Sequence, residues 1–466
     1  MAMRIGIPFE GDYEDLDLPE HTHVVRMIEP DLILDPAAAI LRALERPIES
    51  EGLSAIAVRK ITERKLQDGG KAKAAIIVSD NTRPVPYRGE EGILVPIIHS
   101  LLKAGYGTDD ILVLIATGMH RAMTEDEIDF MLDPEVKALG IEVVNHDCHD
   151  EASLSYLGNT GRGTEIRVNS RYVQADLKIA TGLVESHFMA GASGGRKAVC
   201  PGLIGEKSTF VFHGAPLMAH ENSRDLNLEG NLVHEEALEV ASAAGIDFLV
   251  NVTLNGSFHI TGIFTGHFVK AHEHALAHIS RSVKVQAPAA DVVVTHGGFV
   301  GINHYQTAKC AVGSLGILKK GGYLVVIADI SDMANPVGSL NYRTTLALLK
   351  LIGSEAFVKL IHSPDWTFIP EQWQVQQWAK VFRRIPQDHL LFYSPTLEEF
   401  WYPDLPGLDC RRFLSEPERN TPSPRCFADA VQGALAFIEV ETGKSREKLS
   451  ICWIEDGPYV IPEASL

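Results

Sequence analysis

The stretch IATGLVESHFMAGASGGRKAVCPGLIGEKSTFVFHGAP, residues 179–216, organises the chain. An apolar strand predicted over residues 177–181 leads into it, and a glycine-rich turn, Gly191–Gly195, follows. Glycines let a backbone approach a ligand closely and leave amides open to phosphate oxygens. Lys197 stands just after the turn, where an amine can neutralise a phosphate or act as a nucleophile. The stretch therefore predicts an anion-binding turn beside a reactive amine.

Two histidines flank this turn: His187 precedes it, and His213 follows the lysine. A neutral imidazole can bind a metal, and imidazole also carries protons near neutral pH. The turn does not fit the Walker pattern, because Arg196 stands where that pattern needs glycine, and it does not fit G-x-G-x-x-G. Taken alone, the stretch is also compatible with a tight strand-to-helix turn and two histidines satisfied in the core.

Composition excludes several classes of protein. The 466 residues are enough for two or three domains, and a hydrophobic content of 45% supports sizeable cores. A net charge of −19 argues against nucleic acid or an anionic membrane as partner. We recognise no signal peptide, no membrane-spanning apolar run and no C-x-x-C pair among the six cysteines. We therefore expect a cytoplasmic protein, and the sequence leaves its oligomeric state open.

Strands alternate with helices in the first half of the chain. Buried strands are predicted at residues 74–78, 111–116 and 177–181. This alternation is typical of an α/β fold with mostly parallel sheets flanked by helices. Polar side chains follow these strands: Asp80, Arg83, His120 and His187. Because ligands bind beyond the carboxyl ends of parallel strands, we expect these side chains to face one pocket.

A second α/β unit is predicted to begin near Ala287 and Pro288. Its first strand is predicted at 291–295. The helix after it, at 303–315, carries three polar candidates: Tyr305, Gln306 and Lys309. We therefore divide the chain into a domain of residues 1–285, which contains the glycine turn, and a domain of residues 286–466. Motifs on both sides of the boundary predict an active site in the interdomain cleft.

Each candidate also has a purely structural interpretation. Asp80 and Arg83 could form a self-capping turn, and Lys309 could be an exposed helical lysine. The loop HDCHD, residues 146–150, is dense in metal-ligand types, but no partner cluster accompanies it, which favours a solvated loop. A predicted surface helix carries three further histidines: His272, His274 and His278. It lacks the glutamate of the H-E-x-x-H motif and is not interpreted as a metal site.

Four motifs in order carry a family resemblance. They are S-D-N-T-R-P at 79–84, A-T-G-M-H-R at 116–121, E-S-H-F-M-A-G-A-S-G-G-R-K at 185–197 and H-Y-Q-T-A-K at 304–309. With the P-G-L-I-G continuation and a later His-Gly pair, they resemble the nickel-pincer-dependent lactate racemase family. The resemblance covers residues 75–310 and is looser towards the C-terminus, where residues beyond 400 have no recognised counterpart.

The resemblance implies a cofactor and partners. Family members bind a nickel-pincer nucleotide, a pyridinium bisthiocarboxylic acid mononucleotide that holds nickel and comes from cofactor-synthesis enzymes. The motif lysine forms a thioamide tether and the downstream histidine coordinates nickel, which implies Lys197 and His213. The proton-transfer pair would be His120 and His187. Contacts to cofactor or substrate are implied or expected at Asp80, Arg83, Gly194, Gly195, Tyr305, Gln306 and Lys309, with Trp373 or Trp366 packing on the substrate.

The residue types suit racemisation of a 2-hydroxy acid. Removing a proton from C2 is opposed by the neighbouring carboxylate, whereas hydride removal with loss of the hydroxyl proton avoids a second negative charge. Each face of the planar keto acid then needs its own acid–base group. Malate, aryl-lactate and sugar acids remain alternatives to lactate. A non-catalytic nucleotide- or nickel-binding protein is the alternative of another class, and the missing dinucleotide fingerprint argues against a nicotinamide dehydrogenase.

Overall fold

Strands and helices alternate along the chain in the computed structural model, which describes residues 2–9, 12–420, 423 and 425–465. The strands are β1 (Ala2–Phe9), β2 (Asp12–Pro19), β3 (His23–Val25), β4 (Ala74–Ser79), β5 (Ile111–Ala116), β6 (Glu142–Asn145), β7 (Leu154–Asn159), β8 (Glu165–Asn169), β9 (Leu177–Leu183), β10 (Ser186–His187), β11 (Gly191–Ala192), β12 (Phe248–Leu254), β13 (Ile260–Gly266), β14 (Lys284–Ala287), β15 (Ala290–His296), β16 (Leu318–Ile327), β17 (Leu390–Tyr393), β18 (Leu408–Asp409), β19 (Ile451–Ile454) and β20 (Ile461–Ala464).

Helices of very different lengths separate these strands. They are α1 (Pro36–Glu45), α2 (Leu53–Asp68), α3 (Leu94–Ala104), α4 (Glu125–Met131), α5 (Pro134–Ala138), α6 (Ser170–Val173), α7 (Glu206–Phe212), α8 (Ala215–Ala219), α9 (Leu232–Ala244), α10 (Phe268–Val283), α11 (His304–Gly313), α12 (Leu340–Ile352), α13 (Ser354–Ile361), α14 (Gln372–Arg384), α15 (Glu416–Asn420) and α16 (Arg425–Thr442). None of them, within the part of the chain that the structure describes, is long and apolar enough to cross a membrane.

The chain divides into two compact units, residues 29–281 and residues 1–28 with 282–466. The first unit contains a six-stranded sheet in the order β13-β12-β9-β4-β5-β6. Its strands are parallel except β13, which pairs antiparallel with β12. The predicted α/β class and the strands predicted at 74–78, 111–116 and 177–181 are confirmed, as β4, β5 and β9.

Burial on both faces explains why the central strands of this sheet are almost wholly apolar. In β4 the residues Ala74 to Val78 are all buried, as are Ile111 to Ile115 in β5. Because helices cover the sheet, the side chains on both of its faces contact apolar neighbours. Ile76 and Val113, for example, belong to one cluster with Ile97 of α3. Each such side chain contributes roughly 1.5–3 kcal/mol through its burial.

The second unit is a doubly wound parallel sheet. Its strands lie in the order β18-β17-β16-β15-β19-β3, and every neighbouring pair is parallel. Val292 and Val294 of β15 pack in one core cluster with Phe427 and Leu435 of α16. The chain runs outward from β15 to β18 and then returns to place β19 on the other side of β15, so the carboxyl ends of these strands lie at one edge.

The unit boundary falls close to the predicted one but the first residues belong elsewhere. The sequence assigns residues 1–285 to one domain, whereas the chain leaves the first unit at Arg281 and its first 28 residues lie in the second unit. The reason is strand pairing, because β3 forms the edge of the second sheet against β19. This strand has three residues, too few for a recognisable period, so the sequence gives no sign of its distant partner.

Candidate active site

The strand order of the first unit places the predicted polar residues at one edge. β4 is the turning point: the chain continues from it to β5 and β6 on one side, and later returns through β9 to β12 on the other. At such a point the connections leave in opposite directions and open a crevice beyond the strands. Asp80 follows β4, His120 follows β5 and His187 follows β9. The structure therefore sets all three at the carboxyl ends of adjacent strands.

Asp80 and His120 form a hydrogen-bonded pair. The Nδ1 atom of His120 lies 2.7 Å from Oδ2 of Asp80, and the other carboxylate oxygen accepts from Oγ1 of Thr82 at 2.6 Å. Burial alone would raise the pKa of Asp80, but the hydrogen bond and charge of His120, with help from Thr82 and Arg83, lower it. The carboxylate thus holds the imidazole by Nδ1 and turns Nε2 outward. The sequence predicted Asp80 as a cofactor contact and missed this role.

Arg83 forms an ion pair that the sequence analysis did not anticipate. Its Nε lies 3.3 Å from Oε1 of Glu185, and its Nη1 donates to the carbonyl of Thr82 at 2.9 Å. The backbone of Glu185 is itself fixed, because its amide donates to Oγ of Ser193 and its carbonyl accepts from the Ser193 amide. The guanidinium is therefore held at the sheet edge, where it can meet a carboxylate. The only sequence signal for Glu185 was its place two residues before His187.

His187 and Lys197 lie side by side. β10 and β11 form a hairpin that sets His187 opposite Gly191, and Nζ of Lys197 lies 3.2 Å from Nε2 of His187. The Nδ1 atom of His187 accepts hydrogen bonds from the amides of Met189 and Ala190, both at 3.3 Å. The structure brings together the predicted amine and one of the two predicted proton-transfer histidines.

Packing explains the glycines of the turn. Gly194 and Gly195 have φ angles of 68° and 55°, which favour glycine. A Cβ at Gly194 would lie 2.9 Å from Oδ1 of Asn251, and one at Gly195 would lie 2.7 Å from the ring of His272. The Gly195 amide donates to Asn251 at 2.9 Å, so it is not the open phosphate-binding amide that the sequence predicted. These glycines shape the helical turn Gly195–Ala198 that carries Lys197.

A buried arginine forms hydrogen bonds that hold the same turn in place. Arg196 is 1% exposed, and it donates to the carbonyls of Ala190 at 2.5 Å and Ala192 at 3.0 Å. Its Nη1 also lies 3.1 Å from Nε2 of His272. The interpretation of α10 as a surface helix is therefore wrong for His272, which is buried against the turn, and holds for His274, which is exposed. The sequence analysis missed this role of Arg196, because two consecutive cationic residues are typical of a solvent-exposed position.

His213 directly follows α7 and is half-buried. Desolvation, and secondarily the charge of Lys197, lower its pKa well below the usual range, so the ring is neutral at physiological pH. Neutral imidazole is the form that binds a metal. In the described part of the chain no group of three or more His, Cys, Asp or Glu side chains could hold a metal ion. His213 can supply one neutral imidazole ligand to a metal. The HDCHD loop is no metal site, because His146 is buried and bonds the carbonyl of Ile204.

The second unit places the other candidates on two neighbouring helices. Tyr305, Gln306 and Lys309 lie on α11, and Trp373 lies at the start of α14. The indole Nε1 of Trp373 donates to the hydroxyl of Tyr305 at 2.9 Å. The alternative, Trp366, instead donates to Oε1 of Gln372 at 2.8 Å. Of the two tryptophans, Trp373 is the one that contacts a predicted site residue.

One atom of this group points to a ligand. The side-chain oxygen of Gln306 is buried and has no hydrogen-bond partner within the residues that the structure describes. An orphaned buried acceptor costs about 1–3 kcal/mol, so such atoms are commonly satisfied by a bound molecule or water. Gln306 therefore fits the predicted contact with a cofactor or substrate.

Buried neutral histidines predict a pH-dependent stability. Burial, and for His234 the charge of Arg196 as well, lowers the pKa of His234 and of His304 to about 3, and His272 is shifted in the same direction. In the unfolded chain these rings titrate near 6.5, so their contribution is fully present above that pH and is lost as the pH falls towards the folded values. Each ring lowers the unfolding free energy by up to about 1.4 kcal/mol per pH unit.

We therefore expect the urea concentration at the midpoint of unfolding to be lower at pH 5 than at pH 7. Ordinary carboxylates stay ionised over this pH range. Equal midpoints at the two pH values would contradict the neutral, buried state of these rings. His304→Phe removes one of these titrating rings and keeps a ring of similar shape. The urea midpoint of this variant should therefore change less with pH than that of the wild type.

Comparisons with known proteins agree with these features. Residues 9–225, which include all the site residues of the first unit, match the model of the lactate racemase N-terminal domain. The lactate racemase of Thermoanaerobacterium thermosaccharolyticum is 28% identical over 390 residues, 81% of this chain and 85% of that protein. The lactate racemase of Lactiplantibacillus plantarum is 29% identical over 374 residues, 80% of this chain and 82% of that protein.

Solved structures extend the similarity to the whole chain. The lactate racemase apoprotein of T. thermosaccharolyticum superimposes with a TM-score of 0.82 and 25% identity, covering 99% of this chain and 100% of that one. A Thermotoga maritima protein shares the fold, with a TM-score of 0.62 and 17% identity over 94% of this chain and 100% of that one. The first match covers both units and the residues described above.

Proposed function

We propose that the chain is a member of the lactate racemase family and an isomerase that interconverts the C2 stereoisomers of a 2-hydroxy acid, lactate first among them. The proposal includes proton-coupled hydride transfer to a nickel-pincer nucleotide.

The observation that carries the proposal is that two histidines are held in a similar way at one edge of the sheet. His120 has its Nδ1 bonded to Asp80, and His187 has its Nδ1 bonded to two backbone amides. Both rings follow strands of one sheet and are held through Nδ1 at the same edge of that sheet. A racemase needs one acid–base group for each face of the substrate, whereas a binding protein needs neither.

The two rings act alternately. One ring accepts the proton of the substrate hydroxyl as hydride leaves C2, and the planar keto acid that results can receive hydride on its other face. The other ring then donates a proton to the new hydroxyl. In the reverse direction the roles exchange, so each histidine is a base in one direction and an acid in the other. Asp80 supports this by holding His120 in one orientation.

Lys197 and His213 are the residues that would hold the cofactor. The Lys197 amine stands on a turn fixed by Asn251 and Arg196, and His213 is a half-buried, neutral imidazole close enough for the lysine charge to lower its pKa. An amine so placed can be acylated, and the imidazole can be the one protein ligand of the nickel. When bound, the nickel-pincer nucleotide supplies a hydride acceptor, as nicotinamide does in dehydrogenases.

Cationic and polar groups would fix the substrate. Arg83 can bind the carboxylate in a bidentate manner, and Lys309 adds a second positive charge. The unsatisfied oxygen of Gln306 can accept from the cofactor or substrate, and Trp373 with Tyr305 offers an aromatic wall.

The test is turnover by the full-length protein produced with the cofactor-synthesis enzymes and supplied with nickel. Single enantiomers of lactate, malate, an aryl-lactate and a sugar acid are incubated without NAD, and the enantiomers or epimers are separated by chiral chromatography. We expect at least one acid, lactate first, to approach a mixture of both C2 configurations without net oxidation. Absence of turnover on the whole panel by nickel-loaded protein would contradict the proposal and favour a binding protein.

A further inference from the structure

Glu185 lies between the end of β9 and His187, beside the arginine that is proposed to bind the substrate. Its Oε1 is 3.3 Å from Nε of Arg83, and the side chains of Glu185 and Arg83 are 26% and 22% exposed. A small molecule can therefore reach the pair, yet the pair is shielded enough from water for its charges to act on that molecule. Arg83 is the only ion-pair partner of this carboxylate within the residues that the structure describes.

The backbone of Glu185 is fixed by Ser193. The amide of Glu185 donates to Oγ of Ser193 at 2.9 Å, and its carbonyl accepts from the Ser193 amide at 3.0 Å. The hydroxyl of Ser193 donates in turn to the carbonyl of Leu183, the last residue of β9, at 2.7 Å. Because the carboxylate is carried on a segment tied to the strand, it stays beside Arg83 when a ligand enters.

Arg83 has one edge that is taken and one that is open. A guanidinium offers carboxylates an end edge formed by Nη1 and Nη2 and a side edge formed by Nε and Nη2. Glu185 lies at the side edge, and Nη1 donates to the carbonyl of Thr82 at 2.9 Å, which keeps the guanidinium from turning. Nη2 makes no hydrogen bond within the described part of the chain, so the end edge remains open to the carboxylate of a ligand.

This arrangement distinguishes acids by their number of carboxylates. Malate carries a second carboxylate on the carbon that is the methyl group of lactate. With the first carboxylate at the end edge of Arg83, the second would be attracted to the side edge of the same guanidinium. Glu185 already places a negative charge there, and like charges a few ångströms apart repel each other. A monocarboxylic acid needs the end edge alone.

We propose that Glu185 is a specificity-determining residue: its carboxylate takes the side edge of Arg83 and thereby restricts the site to 2-hydroxy acids with a single carboxylate. The inference rests on the proposed function, because it assumes that Arg83 binds the substrate. It differs from a purely orienting role of Glu185. Loss of orientation would weaken the binding of lactate and malate alike, whereas loss of the charge changes the ratio between them.

Three variants separate charge from shape. Glu185→Gln keeps the length of the side chain and removes its charge, and Glu185→Met is a second neutral variant that decides if Glu185→Gln does not fold. Glu185→Asp keeps the charge near Arg83. Glu142→Gln is the matched control, because it removes one carboxylate from another ion pair of the same unit, where Arg171 donates to Glu142 at 2.8 Å on the surface.

The first measurement is the ratio of kcat/KM for malate to kcat/KM for lactate, with full-length, nickel-loaded protein. We expect the ratio to rise about 10-fold or more in Glu185→Gln and Glu185→Met, mainly through a lower KM for malate, because removal of a nearby like charge favours the dicarboxylate. Glu185→Asp and Glu142→Gln should keep the ratio of the wild type. An unchanged ratio in a folded neutral variant would overturn the proposal, even if both rates fell.

The second measurement is binding without turnover. 2-Hydroxyisobutyrate and citramalate carry a methyl group in place of the C2 hydrogen of lactate and malate, so they cannot be racemised, and calorimetry gives their dissociation constants. We expect Glu185→Gln to improve the affinity for citramalate relative to 2-hydroxyisobutyrate. If the wild type racemises no acid but this affinity ratio shifts, the proposed function fails and the role of Glu185 stands. With no racemisation, an unshifted affinity ratio or absence of binding would overturn the role of Glu185 as well.

Discussion

Replacing His120 with glutamine is expected to lower kcat for racemisation by about 10²–10⁴-fold, the usual contribution of a general acid–base group. The loss should be equal in the two directions, because the group is base in one and acid in the other. His187→Gln should behave in the same way. The measurement is the initial rate from each pure enantiomer, with nickel-loaded protein and intact-mass confirmation that the cofactor is attached.

Two further variants make this result specific. Asp80→Asn removes the carboxylate that holds His120 by Nδ1 but leaves the imidazole, so we expect a smaller loss of about 10–100-fold. His149→Gln changes an exposed histidine of the HDCHD loop, which pairs with Glu206 at 3.2 Å, and should leave the rate unchanged. A His120→Gln enzyme with nearly normal rates in either direction would refute its assignment as a proton-transfer residue.

Lys197→Ala is expected to abolish both the covalent adduct and the activity, since alanine offers no amine for the tether. Intact-mass spectrometry of protein made with the cofactor-synthesis enzymes gives the adduct directly. Lys207→Ala is the matched control, because Lys207 lies ten residues further on, is exposed and pairs with Glu151 at 2.8 Å. An adduct that survives Lys197→Ala would show that the tether lies elsewhere.

His213→Ala separates metal binding from cofactor attachment. We expect this variant to lose nickel, measured by elemental analysis, while the mass adduct on Lys197 persists. The reason is that the two residues offer different chemistry, an amine for acylation and a neutral imidazole for coordination. Full nickel occupancy in His213→Ala would contradict the assignment of His213 as the protein ligand.

Residue pattern alone predicts much of the fold. Continuous apolar runs mark β4, β5 and β9 because strands buried on both faces need no polar alternation. The T-x-x-E sequence at Thr124 is typical of a helix start, and the structure has a full capping box there between Thr124 and Glu127 of α4. Placement of Asp80, His120 and His187 at one edge follows from parallel pairing, since each residue lies within four positions of the end of its strand.

Contacts between residues far apart in sequence could not be predicted in this way. His120 lies 40 residues from Asp80, and Asn251 lies 56 residues from the Gly195 amide that it accepts from, so no local spacing links them. Such pairs depend on the order of strands in the sheet. For the same reason the sequence did not predict that His272 is buried. Its partner Arg196 lies 76 residues away and is itself buried in spite of its charge.

Glycines illustrate a further limit. A glycine-rich turn beside a lysine predicts an anion-binding loop, yet the Gly195 amide is bonded to Asn251, and the ring of His272 fills the space where a side chain would lie. The sequence indicates that the backbone needs the conformational freedom of glycine at these positions. It does not indicate whether a ligand or another part of the protein approaches that backbone.

The fate of the hydrogen on C2 tests the central claim most directly. Enantiomerically pure lactate deuterated at C2 is incubated in ordinary water with the nickel-loaded protein until both enantiomers are present, and each is analysed by mass spectrometry. Hydride transfer predicts that both enantiomers keep deuterium on C2 through many turnovers. Replacement of the label by solvent hydrogen in the product enantiomer would mean that C2 loses a proton, and it would contradict the proposed reaction.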